Sequence, residues 1–311
     1  MSRPSNDRSA ARRPHPIPTP PTDPHRHAQK IADTVDEAWH RVHGTGDIEV
    51  PVSVVAALSL LAPPDGDRDR VASLFLELNV DEFTWLMRTQ WTVFVDARPD
   101  LVVPVSPLIS VWHGDHRIDA NTALAAKKVA DAAISAGQLH LTGTDRRTDT
   151  DLFGALLSTL RSRTDRNVRG LFYTPADVSD VLAEMLDTPQ AGQTVHEPVA
   201  GTGGMLRAVA KAMRQHGRDP ATLGWVAVDT DPLAIACLAI NTLLWGLGPR
   251  VLLGVGDSLS DEWITRAAAQ RRETIELADQ LRGLRTMRTL LTDQEAPLKR
   301  ARPDPDIPAG P

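Results

Sequence analysis

Residues 194–206 read TVHEPVAGTGGML: a short strand-like run, an acidic residue with a proline, then three glycines at 201, 203 and 204 ahead of a helical pattern. A side-chain-free turn between a strand and a helix lets a ligand approach the main chain, because a Cβ there would collide with it. The spacing is not the G-x-G-x-x-G of a dinucleotide pyrophosphate site, and no G-K-[S/T] follows, so a phosphate cradle is disfavoured. Glu197 closes the strand, where its carboxylate can face a cationic amino group.

Outward from this turn the pattern repeats. TVHEP, GTGGMLRAVAKAMRQHG, GWVAVD, DPLAIACLAINTLLWGLG and RVLLGVGD alternate strand and helix, as a parallel sheet with crossover helices requires. The fold class is therefore α/β. Asp229 ends the second strand, where an acidic side chain can accept both hydroxyls of a ribose. Asp257 follows the third. Ligands of open parallel sheets bind beyond the carboxyl ends of the strands, and three acids there, with glycines between, suit a nucleoside carrying an amino-acid tail. The plainer reading of each acid is a helix cap or surface carboxylate, and Asp231, just before Pro232, reads as a cap.

Around this segment the chain divides by composition. Residues 1–27, rich in proline and arginine, read as a disordered arm, and 28–145 as a mainly helical domain. The strand-helix domain covers 146–259. Residues 260–295 form one long helix or two, and 296–311 a disordered proline-rich tail. RPDLVVPVSPLISVW, at 98–112, is broken by prolines and resists assignment. Trp85 and Trp91 read as core residues of helices. No apolar run reaches the roughly 18 residues of a membrane helix. The single cysteine, Cys237, cannot form an internal disulfide, which fits a reducing cytoplasm.

A formal charge of −6 speaks against whole-surface attraction to nucleic acid. Two arginine clusters remain, one at 161, 163, 166 and 169, the other at Arg282, Arg285 and Arg288 on one helix face, and both read most simply as solvated surface. His40 with His43, and His113 with His116, have helical spacing for a metal but no further ligands, so no metal site is assigned.

Four motifs carry a family resemblance. FYTP at 172–175, HEPVAGTGGML, VAVDTDPLAIACLAIN and GDSL stand in the order and spacing of the cofactor-binding part of N6-adenine DNA methyltransferases. The chain most resembles the modification (M) subunits of type I restriction systems, in which a helical N-terminal domain precedes the methyltransferase fold. The motifs span about 151–259, and the likeness before them is architectural. The resemblance implies a Rossmann-like domain, S-adenosyl-L-methionine as cofactor and DNA as a partner. It implies that Phe172, Tyr173 and Thr174 border the methionine part, with Gly201 and Gly203 passing beside it. Glu197 would meet the amino group, Asp229 the ribose and Asp257 the adenine amino group.

The acceptor half is a different matter. Family members act on an adenine flipped from the duplex and hold it with [N/D/S]-P-P-[Y/F/W]. Neither Pro-Pro pair of this sequence fits: TPPT at 19–22 lies in the arm, and APPD at 62–65 has Ala62 and Asp65 where a hydrogen-bonding side chain and a ring are needed. No catalytic residue is assigned. Only three strands can be placed after residue 151, whereas the family's sheet continues beyond the first strand. Either TVHEP is an edge covered by the terminal helix or the helical domain, or another polypeptide completes the sheet. Two functions follow: a DNA adenine methyltransferase, whole or split, and a catalytically inactive cofactor-binding module or regulatory subunit.

Overall fold

The computed structural model describes residues 20–42, 46–114, 118–161, 176–185, 187–260 and 262–300, with main chain only at 176 and 288–300. The helical layer begins with α1 (Pro24–Val42), whose buried Ala28, Ile31, Ala32, Val35 and Trp39 repeat at helical spacing. It therefore starts four residues before the expected boundary at 28, because His27 is buried and its Nε2 donates to the Ala136 carbonyl at 3.0 Å. At the centre is α2 (Glu49–Ser59), buried from Val50 to Ser59, as a helix surrounded on all sides must be. The helices α3 (Arg68–Glu77), α4 (Val80–Ala97), α5 (Val102–His113), α6 (Ala120–Ser135) and α7 (Gln138–Thr142) complete this layer, and α8 (Leu152–Leu160) packs on α1.

The unassigned proline-broken stretch is a 3-10 turn at Pro99–Leu101 followed by α5, with Pro107 inside the helix. Trp91 is a core residue, but Trp85, expected in the core, is 67% exposed. The two lie six positions apart on α4, so they project from different faces.

Beyond α9 (Ala176–Met185) come β1 (Thr194–Glu197), α10 (Gly204–Gln215), β2 (Gly224–Asp229), α11 (Pro232–Leu244), β3 (Val251–Val255) and α12 (Glu262–Arg300). The three strands pair in parallel in the order β1-β2-β3, with Glu197 opposite Ala227 and Asp229 opposite Val255. Strand alternation divides the sheet's two faces. Trp225, Ala227, Val251 and Leu253 join the core shared with α11 and the helical layer, whereas Val228 packs on Trp263 and Ala267 of α12. The apolar residues buried in the helical layer and those of α11, β2 and β3 form one contiguous cluster, so packing does not pause at residue 146.

The terminal segment is one helix, not two. It runs through Pro297 to Arg300, past the expected start of a tail at 296. A proline this close to the helix end removes one hydrogen bond where few remain to be lost. Arg285 pairs with both Asp96 oxygens at 2.9 and 3.0 Å, and Arg282 with Asp279 at 2.5 Å. That part of the arginine row is therefore anchored to this chain's own carboxylates. No described helix is long and apolar enough to cross a membrane.

Candidate functional site

The glycine turn joins β1 to α10 across the carboxyl end of β2. Ala200 donates its N–H to the Val228 carbonyl at 3.0 Å, and Gly203 donates back to Ala200 at 2.8 Å. Gly201 and Gly203 have φ of +51° and +94°, the left-handed region that favours glycine. Gly203 has a second reason to lack a side chain. A Cβ there would lie 2.3 Å from Leu238 Cδ1 and 3.0 Å from Trp245 Cζ3, so this glycine serves the packing of α10 against α11. Gly204 differs: the nearest atom to its Cβ would be Ser179 Oγ at 4.0 Å. That hydroxyl is buried and has no hydrogen-bond partner among the described residues.

Asp229 ties three segments together. Its Oδ2 accepts the Gly201 N–H at 2.7 Å, its Oδ1 accepts the Asp231 N–H at 2.9 Å, and its carbonyl accepts Gly256 N–H at 3.0 Å. The residue is 8% exposed, and each carboxylate oxygen keeps a lone pair beyond these bonds. Glu197, half-buried at the end of β1, accepts the Val199 N–H at 3.2 Å. Burial pushes its carboxyl above the usual Glu value, and the nearby Asp229 adds to the rise, while the Val199 hydrogen bond and His196 oppose it. Asp257 stands at the same edge, exposed, with Oδ1 accepting the Leu259 N–H at 2.9 Å.

Glu197, Gly201 and Asp229 are thus brought together, Asp257 lies outward of them, and Gly203 points its Cα into the helix packing. Phe172, Tyr173 and Thr174 lie outside the described residues, as do Arg163, Arg166 and Arg169 of the first arginine cluster, and His43 and His116. Arg161 of that cluster is buried against Asp231, Nη2 to Oδ2 at 2.6 Å. Asp231 also caps α11 through Leu233 N–H at 3.0 Å, as its place before a proline suggests. His113 donates Nε2 to the Arg88 carbonyl, and His40 Nδ1 lies 2.9 Å from Asp36. No group of three metal-ligating side chains exists among the described residues.

Sequence reasoning missed the clamp behind the turn. Asp151 Oδ2 accepts the Thr202 hydroxyl at 2.5 Å, and its Oδ1 accepts Gly154 N–H and Asn241 Nδ2, both at 2.9 Å. Asn241 Nδ2 also donates to the Thr202 carbonyl at 2.8 Å. The enclosed carboxylate is held above the usual Asp value by burial, against the pull of these three hydrogen bonds. The available signals were an acid just before the apolar run of α8 and the polar pair Asn241-Thr242 within the largely apolar α11.

Compared with known proteins, residues 148–276 match the N-6 DNA Methylase family. A solved structure, the methyltransferase subunit of a type I restriction-modification system from Streptococcus thermophilus, aligns at 16% identity with a TM-score of 0.38, over 76% of this chain. The chain spans 60% of the length of that structure. The segment from 148 to 276 resembles the N6-adenine methylases, in agreement with its four motifs.

Proposed function

We propose that this chain binds S-adenosyl-L-methionine at the carboxyl edge of a Rossmann-like sheet and serves DNA adenine-N6 methylation in a modification or restriction system of the cytoplasm. The observation that carries the reading is the Asp229 carboxylate, fixed by the Gly201 and Asp231 N–H groups inside the segment that matches the N-6 DNA methylases. The residues fit the cofactor. Asp229 would hold the ribose hydroxyls, and Glu197 would meet the ammonium, whose charge would restore its ionised form. Gly204 presents no side chain at the start of α10, so the amino-acid part could run past its main chain. Phe172, Tyr173, Thr174, Gly201 and Gly203 would border it, and Asp257 would take the adenine amino group. The bound cofactor supplies an electrophilic methyl group.

No [N/D/S]-P-P-[Y/F/W] stands in residues 1–311, and this reading gives these residues cofactor binding, with the acceptor pocket supplied from outside them. The runner-up, a cofactor-binding module without any catalytic partner, differs only in that second half. Calorimetry with S-adenosylmethionine on the purified full chain tests the first half: binding is expected, and Asp229→Ala should weaken it by about a hundredfold or more, equivalent to ~2.7 kcal/mol. No heat of binding would overturn the site. Methyl incorporation into adenine-containing DNA by the chain alone, lost in Asp229→Ala, would show that the acceptor pocket is its own.

A further inference from the structure

Two surfaces are left uncovered among the described residues. The first is the outer edge of β1. Among the described residues only β2 pairs with it. Gln193 turns its carbonyl towards the Gly224 N–H of β2, so alternation along the strand turns the main-chain groups of Thr194 and His196 outward. Both residues are exposed, and Val199, just past the strand, is 75% exposed. The strand is four residues long, with no proline or lysine among them, and Pro198 follows at once.

The second surface is the outer face of α9. Val178, Val181, Leu182 and Met185 are 47, 56, 44 and 78% exposed. Their spacing is i, i+3, i+4, i+7, one apolar stripe of a helix. The opposite side of α9 is already used. Ser179 and Ala183 are buried, Ala183 against Ala208 and Ala212 of α10, and Asp180 bonds Arg207 and Lys211 at 2.5 and 2.6 Å. The helices are therefore layered α9, α10, α11, with α11 on the β3 side of α10 and α9 on the other. Since α9 packs on α10, the helix that follows β1, while α11 packs on β2 and β3, a strand added beyond β1 would come nearest to the α9 end of this helix layer.

Resting on the proposed split of cofactor and acceptor halves, we infer that a second polypeptide docks here, adding a parallel strand to the edge of β1 and an apolar helix face to the stripe of α9. A parallel sheet is normally buried on both faces and continued by strand-helix units, and this surface offers one place for each part of such a unit. Charge selects the occupant. Asp177, Glu184 and Asp187 are exposed acids around the stripe, so the partner's helix carries lysine or arginine at its rim. A second copy of this chain would bring the same acids against them, and like charges at an interface are costly.

The full-length protein carrying a photo-crosslinking benzoyl-phenylalanine at position 182, in its own cells, is expected to give one adduct with a different polypeptide. The same probe at the exposed Trp85 should not trap it. Purified and mixed with the unmodified chain, that polypeptide should bind one to one and slow amide exchange of the 193–197 segment by about tenfold or more. Val181→Glu with Leu182→Glu should weaken the complex by about a hundredfold and leave S-adenosylmethionine calorimetry of the chain alone unchanged. Exchange and stoichiometry need no cofactor, so loss of cofactor binding by the unmodified chain would sink the functional reading and not this one. An adduct with a second copy, no adduct at 182, or a complex that leaves 193–197 exchange unaltered would overturn the docking surface.

Discussion

The two helices flanking α10 were finished to different degrees. On one flank α11 is buried from Leu233 to Thr242 and again at Leu244, and it meets α10 so closely that Gly203 can carry no Cβ. On the other flank α9 buries only small residues, Ser179 and Ala183, and is fastened by the charges of Asp180, Arg207 and Lys211. Apolar burial contributes about 25 cal/mol per Å², so α11 is ordered by this chain alone, whereas α9 is pinned in place with its larger side chains still in water. The proposed site would then lie beside one closely packed helix and one that keeps an exposed apolar stripe.

The rigid flank can be broken most severely at Gly203. Gly203→Val must hold a β-branched residue at φ +94° with its Cβ 2.3 Å from Leu238 Cδ1. Left-handed backbone costs about 1–2 kcal/mol and overpacking about 1–3 more, so urea denaturation should show a loss of roughly 2–5 kcal/mol, or no folded protein. A loss below about 1 kcal/mol would mean that α10 and α11 are not in contact as described.

Next comes the clamp. Asp151→Ala strands Gly154 N–H, Asn241 Nδ2 and Thr202 Oγ1, each bonded to the carboxylate, and should cost about 2–3 kcal/mol at neutral pH. The acid dependence separates charge from shape. Asp151 is held above its ordinary value in the folded state, so folding takes up a proton between the two values. Its contribution to stability is greatest below the unfolded pKa, falls as pH rises through the window up to the folded one, and stays low above it. Asp151→Asn, similar in shape, should keep stability at pH 7 within about 1 kcal/mol and abolish that slope. An unchanged slope would show that another group produces it.

What was legible in the sequence was what local pattern encodes. Strand, glycine turn and helix are written in consecutive residues, so Glu197, Gly201 and Asp229 could be placed on one edge from periodicity alone. The clamp joins Asp151, Thr202 and Asn241 across 51 and 90 positions, and no local rule pairs them. The packing duty of Gly203 could not be read, because the sequence cannot say that Leu238 and Trp245 would face it. The exposure of Trp85 depends on which side of α4 meets the core. A proline pattern that ends most helices was overridden at Pro107, where α5 lies between α2 and α11: tertiary packing outweighs the local preference.

The smallest expected stability effect falls on the unfinished flank, one residue from the largest. Gly204 opens α10 without a positive φ, and a Cβ there would meet nothing closer than Ser179 Oγ at 4.0 Å. Gly204→Ala should leave stability unchanged or raise it by about 0.4–1 kcal/mol, since alanine narrows the unfolded ensemble and suits a helix. If the amino-acid part of the cofactor runs past the main chain of Gly204, the same methyl group intrudes on it, and calorimetry should show weaker S-adenosylmethionine binding, by about tenfold, in a protein at least as stable as the original. Stability and affinity would then move in opposite directions at one atom, which a packing role for Gly204 cannot produce. Unaltered affinity would place the ligand elsewhere along the edge, towards Asp257.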